Sequence, residues 1–287
     1  MEMKKKRIGY LYEKKSKGEK MPRTVCFDYP MACIAEAAGI DIINVGDSIA
    51  NIMFGYENTL SAKLDIMIEH AKGVRKGAPS AFIMGDMPFL SYQVSKSDTI
   101  KNAGRYLQEA GMDCVKIEGN MEIVDTIKFL KNASIPVIGH TGLIPQSINA
   151  MGGYKTQGKD AKSAESLIET ALAFEDAGVI AITLECVPIE VAKIIYERVK
   201  VPILGTGSGP YSDSPMINLY DLLGFVDITP RFAKRYANLK ELAIEATTKF
   251  VNEVKNNIYP GPEESYNMLE GEYEKLVKSL KRNIFKD

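Results

Sequence analysis

At 287 residues the chain has room for two ordinary domains or for one α/β barrel, which needs about 250 residues. A charged fraction of 25%, a net charge of -1 and a pI of ≈ 6.2 leave nucleic acid and anionic membranes as improbable partners. No apolar run reaches the ~20 residues that span a bilayer, and the first residues lack the apolar core of a secretory signal. Cys26, Cys33, Cys114 and Cys186 show neither CxxC spacing nor disulfide-framework density, which fits reduced thiols in a cytoplasm. With only His70 and His140 present, a metal site has to lean on carboxylates.

Residues 1–22 are basic and polar, and Lys4-Lys5-Lys6-Arg7 reads as a solvated arm or the approach to a short helix under the fold. A barrel domain is expected over 23–287, C-terminal helices included. Arg23-Thr24-Val25-Cys26-Phe27 forms a first strand, followed by a helix from Met31 to Ala38. Ile42-Ile43-Asn44-Val45 then runs into Gly46-Asp47-Ser48, an apolar run that ends abruptly in a carboxylate and a hydroxyl. The helix at 63–75 places Leu64, Met67, Ile68 and Ala71 on one stripe. A strand at 80–86 ends at Asp86, and one at 114–118 carries Lys116 and Glu118. Ile135 to Gly139 leads to His140, Ile180 to Leu184 leads to Glu185, and Val201 to Leu204 leads to Gly205. Helices are expected at 97–110, 121–131, 161–177 and 188–198, and beyond the barrel on both sides of Tyr259-Pro260-Gly261-Pro262. The eighth strand is placed at Phe225-Val226-Asp227-Ile228.

Three segments repeat one design: Ala38-Gly39…Asp47, Ala110-Gly111…Glu118 and Ala177-Gly178…Glu185. Each is a helix stopped by glycine, then an apolar strand, then an acid. Unbroken apolar strands alternating with helices imply a parallel sheet covered by helices. A (β/α)₈ barrel is the preferred fold, with a doubly wound open sheet second. In a barrel the strand C-termini share one mouth, so Asp47, Asp86, Glu118, His140 and Glu185 face one another.

Three carboxylates at one mouth repel unless a cation compensates, so Asp47, Asp86 and Glu118 suggest a hard divalent ion, magnesium by preference. Singly, each acid is as well explained as a helix cap or a rim ion pair. Lys116, two residues before Glu118, shares its face and could hold a substrate carboxylate, form an imine, or pair with an acid. Glu185, ending a very apolar strand, suits proton transfer, with helix capping as the alternative. His140 is a candidate donor to an enolate. Cys186 reads as a packed thiol and His70 as a surface residue. Gly205-Thr206-Gly207-Ser208-Gly209 is either a phosphate loop or a tight turn.

Several motifs together are similar to ketopantoate hydroxymethyltransferases, in order from about Thr24 to Arg231. They are Val45-Gly46-Asp47-Ser48, Asp86-Met87-Pro88-Phe89, Lys116-Ile117-Glu118-Gly119, Gly139-His140-Thr141-Gly142-Leu143 and Leu184-Glu185-Cys186-Val187-Pro188. So are Arg75-Lys76-Gly77-Ala78-Pro79, Ile144-Pro145-Gln146-Ser147 and Gly152-Gly153-Tyr154-Lys155-Thr156-Gln157-Gly158. The resemblance implies a barrel of the phosphoenolpyruvate/pyruvate superfamily. Its implied activity moves a one-carbon unit from 5,10-methylenetetrahydrofolate to 3-methyl-2-oxobutanoate, giving 2-dehydropantoate. It further implies that Asp47 and Asp86 ligate magnesium with Glu118 in its shell, and that Ser48 and Lys116 hold the oxoacid carboxylate. Glu185 would be the base, with His140 close by, in a homo-oligomer.

The chain also departs from the family pattern. Val25-Cys26-Phe27-Asp28 stands where Thr-Ala-Tyr-Asp is usual, which removes a phenol. Ser48-Ile49-Ala50-Asn51 replaces Ser-Leu-Gly-Met. Thr206, Ser208, Ser214-Pro215 and Tyr220 stand where Gly-Ile-Gly-Ala-Gly, Asp-Gly-Gln and His-Asp are common. This pattern points to a paralogue with another 2-oxoacid or donor. The other readings are a folate-independent lyase or mutase of the same superfamily, and a barrel kept as a binding protein. Idle buried charges speak against the last.

Overall fold

A computed structural model describes residues 4–227 and 230–284. Eight parallel strands close into a barrel in sequence order: β1 Arg23–Val25, β2 Ile42–Val45, β3 Phe82–Asp86, β4 Cys114–Glu118, β5 Val137–Gly142, β6 Ala181–Glu185, β7 Ile203–Thr206 and β8 Ser214–Asn218. The expected (β/α)₈ barrel is therefore present, and the open sheet is not. The eighth strand is Ser214–Asn218, not the segment from Phe225, of which Ile228 lies outside the described residues. Phe225 instead donates its N–H to the Tyr220 carbonyl in the turn after a short helix. The real strand was hidden by its polar composition and by Pro215, which stands near its start, where a missing donor is tolerated.

The main helices of the barrel unit are α1 Ile8–Ser16, which precedes β1, α2 Tyr29–Ala37, α3 Leu64–Gly77, α4 Lys96–Gln108, α5 Val124–Asn132, α6 Ala161–Ala177, α7 Ile189–Arg198, and α8 Leu219–Leu223, which follows β8. Gly39, Gly111 and Gly178 all take positive φ (82°, 63° and 94°), the left-handed conformation that ends a helix at little steric cost. Two strand glycines do different work. A Cβ on Gly85 would stand 2.4 Å from the Tyr106 ring, and one on Gly139 2.5 Å from the Phe174 ring. Aromatic side chains of α4 and α6 thus lie directly on the backbone of β3 and β5, and Tyr106 donates its hydroxyl proton to the Asp86 carbonyl.

The N-terminal segment closes the underside of the barrel. Leu11 of α1 and Met21 are buried against Ile42, Phe82, Met84, Cys114, Ile138, Ala181 and Leu204, the lowest layer inside the barrel. The basic residues are not simply solvated. Lys6, Lys5 and Lys15 pair with Asp41, Asp113 and Asp213 at 3.6, 2.9 and 3.0 Å. Those three acids directly precede β2, β4 and β8, so ion pairs at the strand N-termini tie the segment down.

The chain divides between Ala237 and Asn238 into two compact units. The second unit contains α9 Leu239–Lys255 and α10 Glu272–Ile284. No residue of α9 is buried, and Phe250 meets Tyr259 edge-on at 5.3 Å between ring centroids. Among the described residues no helix is long and apolar enough to cross a membrane.

Candidate active site

Strand register brings the predicted residues together at the C-terminal mouth. Asp86 pairs with Lys116, Glu118 with His140, and Gly142 with Glu185 across adjacent strands. Asp47 follows the end of β2, and Ser48 begins the helical turn Ile49–Ile52. Asp47, Asp86, Lys116, Glu118 and His140 are all buried, while Glu185 is partly open. Parallel strands with uninterrupted apolar neighbours explain this placement. The strands leave the core at the same level, and the inward-facing positions there carry Asp86, Lys116, Glu118, His140 and Glu185.

Lys116 Nζ stands 2.9 Å from Asp86 Oδ2, 3.6 Å from Glu118 Oε2 and 3.1 Å from His140 Nδ1. Burial opposes its charge, but Asp86, Glu118 and Asp47 outweigh burial and hold the ammonium above the ordinary lysine range. A lysine held in its charged form is a poor nucleophile and suits pairing with anions. Burial also pushes Glu118 up, yet His140, Lys116 and the Gln146 N–H together bring it below the usual carboxylate range. Asp47 goes the other way. Burial, then Glu118 and Asp86, raise it well above that range, against Lys116 and a bond from Gln146. Glu185 is raised by burial and by Glu118, against His140, Lys116 and Arg23. Its Oε2 lies 3.4 Å from His140 Nε2, while His140 Nδ1 lies 3.2 Å from Glu118 Oε2. Carboxylate, imidazole and ammonium thus form one buried chain from β6 to β4.

Two residues not singled out as site residues from sequence complete the cluster. Gln146 donates from Nε2 to Asp47 Oδ2 at 2.8 Å and from its backbone to Glu118 Oε1 at 2.7 Å, clamping β2 to β4. Asn44 Nδ2 donates to Asp86 Oδ1 at 3.0 Å. Asn44 had a signal, an amide inside an apolar strand, while Gln146 sits in a loop whose fold was not readable.

The expected three-carboxylate metal site needs a closer look. Among the described residues, no group of three or more His, Cys, Asp and Glu side chains is arranged to hold a metal ion. Each of the three has protein partners: Glu118 faces Lys116, His140 and Gln146, Asp86 faces Lys116 and Asn44, and Asp47 faces Gln146. Asp47 and Asp86 lie close enough for the Asp47 N–H to stand 3.4 Å from Asp86 Oδ2. Two hard oxygen donors suffice for magnesium, which keeps several waters and takes substrate oxygens. The donor chemistry fits, and the raised Asp47 carboxyl marks a place where added positive charge is favoured.

Other expectations resolve simply. Cys186 is half-buried, its thiol pushed up to about 12 by burial and Glu185, and so is inert at neutral pH. His70 is not a free surface group, since its Nδ1 meets the Phe27 carbonyl at 2.5 Å. Phe27 lies in the core, stacked on Tyr220 at 5.4 Å, and the Tyr220 hydroxyl bonds Asp28. The 205–209 loop turns tightly, with positive φ at Gly207 and Gly209. Beside the cluster opens a cavity of ≈ 1280 Å³ whose walls include Arg23, Leu143, Tyr154, Glu185, Met216 and Phe232.

A closed parallel barrel with acids, a lysine and a histidine converging on its C-terminal mouth is the architecture of a (β/α)₈ enzyme. Comparison with known proteins narrows the class. A family model for ketopantoate hydroxymethyltransferase matches residues 5–262. A 3-methyl-2-oxobutanoate hydroxymethyltransferase of Syntrophomonas wolfei is 44% identical over 270 residues, 94% of this chain and 98% of that protein. The protein of the same name from Enterococcus faecalis is 43% identical over 92% of this chain and 96% of its own length. Among solved structures, a phosphonopyruvate hydrolase in complex with oxalate and Mg++ shares the fold. Its TM-score is 0.59 at 12% identity, covering 96% of this chain and 97% of that one. The chain belongs to the ketopantoate hydroxymethyltransferase family and is an enzyme of the hydroxymethyltransferase type.

Proposed function

We propose that this enzyme transfers a one-carbon unit from 5,10-methylenetetrahydrofolate to a 2-oxoacid, with 3-methyl-2-oxobutanoate as acceptor and 2-dehydropantoate as product. The acceptor is the one that the relatives' names give. The observation that carries the reading is the buried chain Glu185–His140–Lys116 beside the Asp47–Asp86 pair. Together these groups suit a base, a carboxylate anchor and a hard-cation site, which supports the reading.

Asp47 and Asp86 would hold magnesium, with Glu118 in its shell. Bound there, the ion supplies Lewis-acid stabilisation for the negative charge that enolisation puts on a 2-oxo oxygen. Lys116 and Ser48 bind the acceptor carboxylate, Lys116 through a charge that its acidic neighbours maintain. Glu185 takes the C3 proton. Its raised pKa brings it nearer the operating pH, where a general base works best. His140 sits between the two, its Nδ1 3.1 Å from Lys116 Nζ and its Nε2 3.4 Å from Glu185 Oε2. The neighbouring cavity, with Leu143, Tyr154, Ile189 and Phe232 in its walls, offers the flat apolar volume that a reduced pterin requires. The four unpaired cysteines suit a cytoplasmic enzyme.

The test is product formation. Enzyme, magnesium, 3-methyl-2-oxobutanoate and folate labelled with ¹³C at the methylene carbon should give ¹³C-labelled 2-dehydropantoate. Absence of label in any oxoacid product would overturn the reading.

A further inference from the structure

Arg23 lies inside the barrel on β1, in register with Ile42 of β2, and only 4% of it is exposed. Its Nη2 donates to the Gly205 carbonyl at 3.2 Å and to Thr206 Oγ1 at 3.0 Å. Both acceptors are neutral. Its Nε is buried without a partner, and among the described residues it forms no ion pair. Burial lowers its pKa to about 10, and the more distant Asp86 and Glu185 offset only part of that. A buried guanidinium with no carboxylate against it is costly, and Arg prefers a planar, two-oxygen partner.

The surroundings are built for the same kind of guest. Thr183 of β6 and Ser214 of β8 flank Leu204 of β7 in register, and the hydroxyl of each is buried without a partner. Thr206, which Arg23 touches, is in register with Glu185. The half of the barrel from β6 round to β1 therefore holds a cation and two buried hydroxyls without partners. Arg23 and Glu185 both line the ≈ 1280 Å³ cavity.

The order of strands around the barrel gives this half its meaning. Lys116 is on β4, Glu185 on β6 and Arg23 on β1, so Arg23 lies across the barrel from Lys116. An acceptor whose C1 carboxylate is at Lys116 and whose C3 is at Glu185 directs its side chain toward Arg23. An isopropyl group there would leave the guanidinium unpaired. A terminal carboxylate would pair with it.

We infer that Arg23 is a second carboxylate subsite, and that the acceptor this site fits best is a 2-oxodicarboxylate. The inference rests on the hydroxymethyltransferase reading for where the acceptor's C1 and C3 lie. It departs from that reading in the acceptor's side chain.

The test compares 2-oxoglutarate with 2-oxohexanoate, a chain of similar length without the second charge, and with 3-methyl-2-oxobutanoate. Binding is read by titration calorimetry with magnesium present, and C3 deuterium exchange by NMR. A charge-assisted contact should favour 2-oxoglutarate over 2-oxohexanoate by at least about tenfold in affinity. Arg23→Met should abolish that preference while retaining exchange of 2-oxohexanoate. Arg23→Lys, a point charge without the fork, should restore part of it. Should Arg23→Met fail to fold, the wild-type ratio alone decides. A wild-type enzyme that binds 2-oxohexanoate or 3-methyl-2-oxobutanoate as tightly as 2-oxoglutarate would overturn the inference and leave the reaction type standing. Arg23 would then merely balance Glu185 and Asp86. Exchange with none of the three would overturn both.

Discussion

Asp47→Asn should make the metal-free protein more stable while destroying its response to magnesium. Asp47 is held above the ordinary carboxylate range by burial first and then by Glu118 and Asp86. The sign follows from linkage. A carboxyl whose folded pKa is raised contributes stability below its unfolded pKa of about 3.9 and loses it as pH rises through the folded value. At neutral pH the wild type bears that loss. Asparagine keeps nearly the same volume and an oxygen to accept the Gln146 Nε2 bond, but it removes the charge. Replacing a strained buried charge by a neutral group is typically worth ~1–4 kcal/mol. For a domain of this size each kcal/mol moves the melting temperature by roughly 2–4 °C. Thermal melts in chelator should therefore show the variant above the wild type at neutral pH, the gap closing as pH falls toward about 4. Magnesium should raise the melting temperature of the wild type and not of the variant. A wild type that is the more stable of the two in chelator at neutral pH would refute the electrostatic reasoning.

Lys116→Met should destabilise by ~3–5 kcal/mol, because it leaves Asp86 and Glu118 buried without their cation; chemical denaturation measures this. Borohydride with any 2-oxoacid should form no adduct at Lys116, as mass spectrometry would show. Gly85→Ala should cost about 1–3 kcal/mol, since the new methyl would overlap the Tyr106 ring. A thermal melt matching the wild type would mean that α4 can shift freely. The acid limb of the pH–rate profile should lie above the ordinary carboxylate range, as burial of Glu185 requires, and an acid limb at the ordinary position would exclude Glu185 as the base.

The parts of this molecule that follow a period were legible in its sequence. Strands β2 to β7 are apolar runs alternating with helices, three of which are stopped by glycine, and their last polar residues converge because parallel strands end at one level. What escaped was governed by partners distant in the chain. β8 carries Pro215 and polar side chains because β7 and β1 complete it from both sides, so its own composition did not announce a strand. Gln146 looks like a loop residue until Asp47 and Glu118 are placed around it. Arg23 looked like the polar start of a strand, and only the closed barrel shows that its guanidinium points inward to Thr206. The basic arm was half legible: its charge pattern marked the end of the fold, but its acid partners lie at three separate strand starts.

The central claim is that Glu185 removes the C3 proton of a 2-oxoacid held by Lys116. Deuterium exchange at C3 of 3-methyl-2-oxobutanoate, followed by NMR without any folate, measures that step alone. The wild type should exchange, and Glu185→Gln should bind the oxoacid nearly as well yet exchange about 10²–10⁴ times more slowly. Exchange by the variant at the wild-type rate would contradict the account and assign the base to another residue.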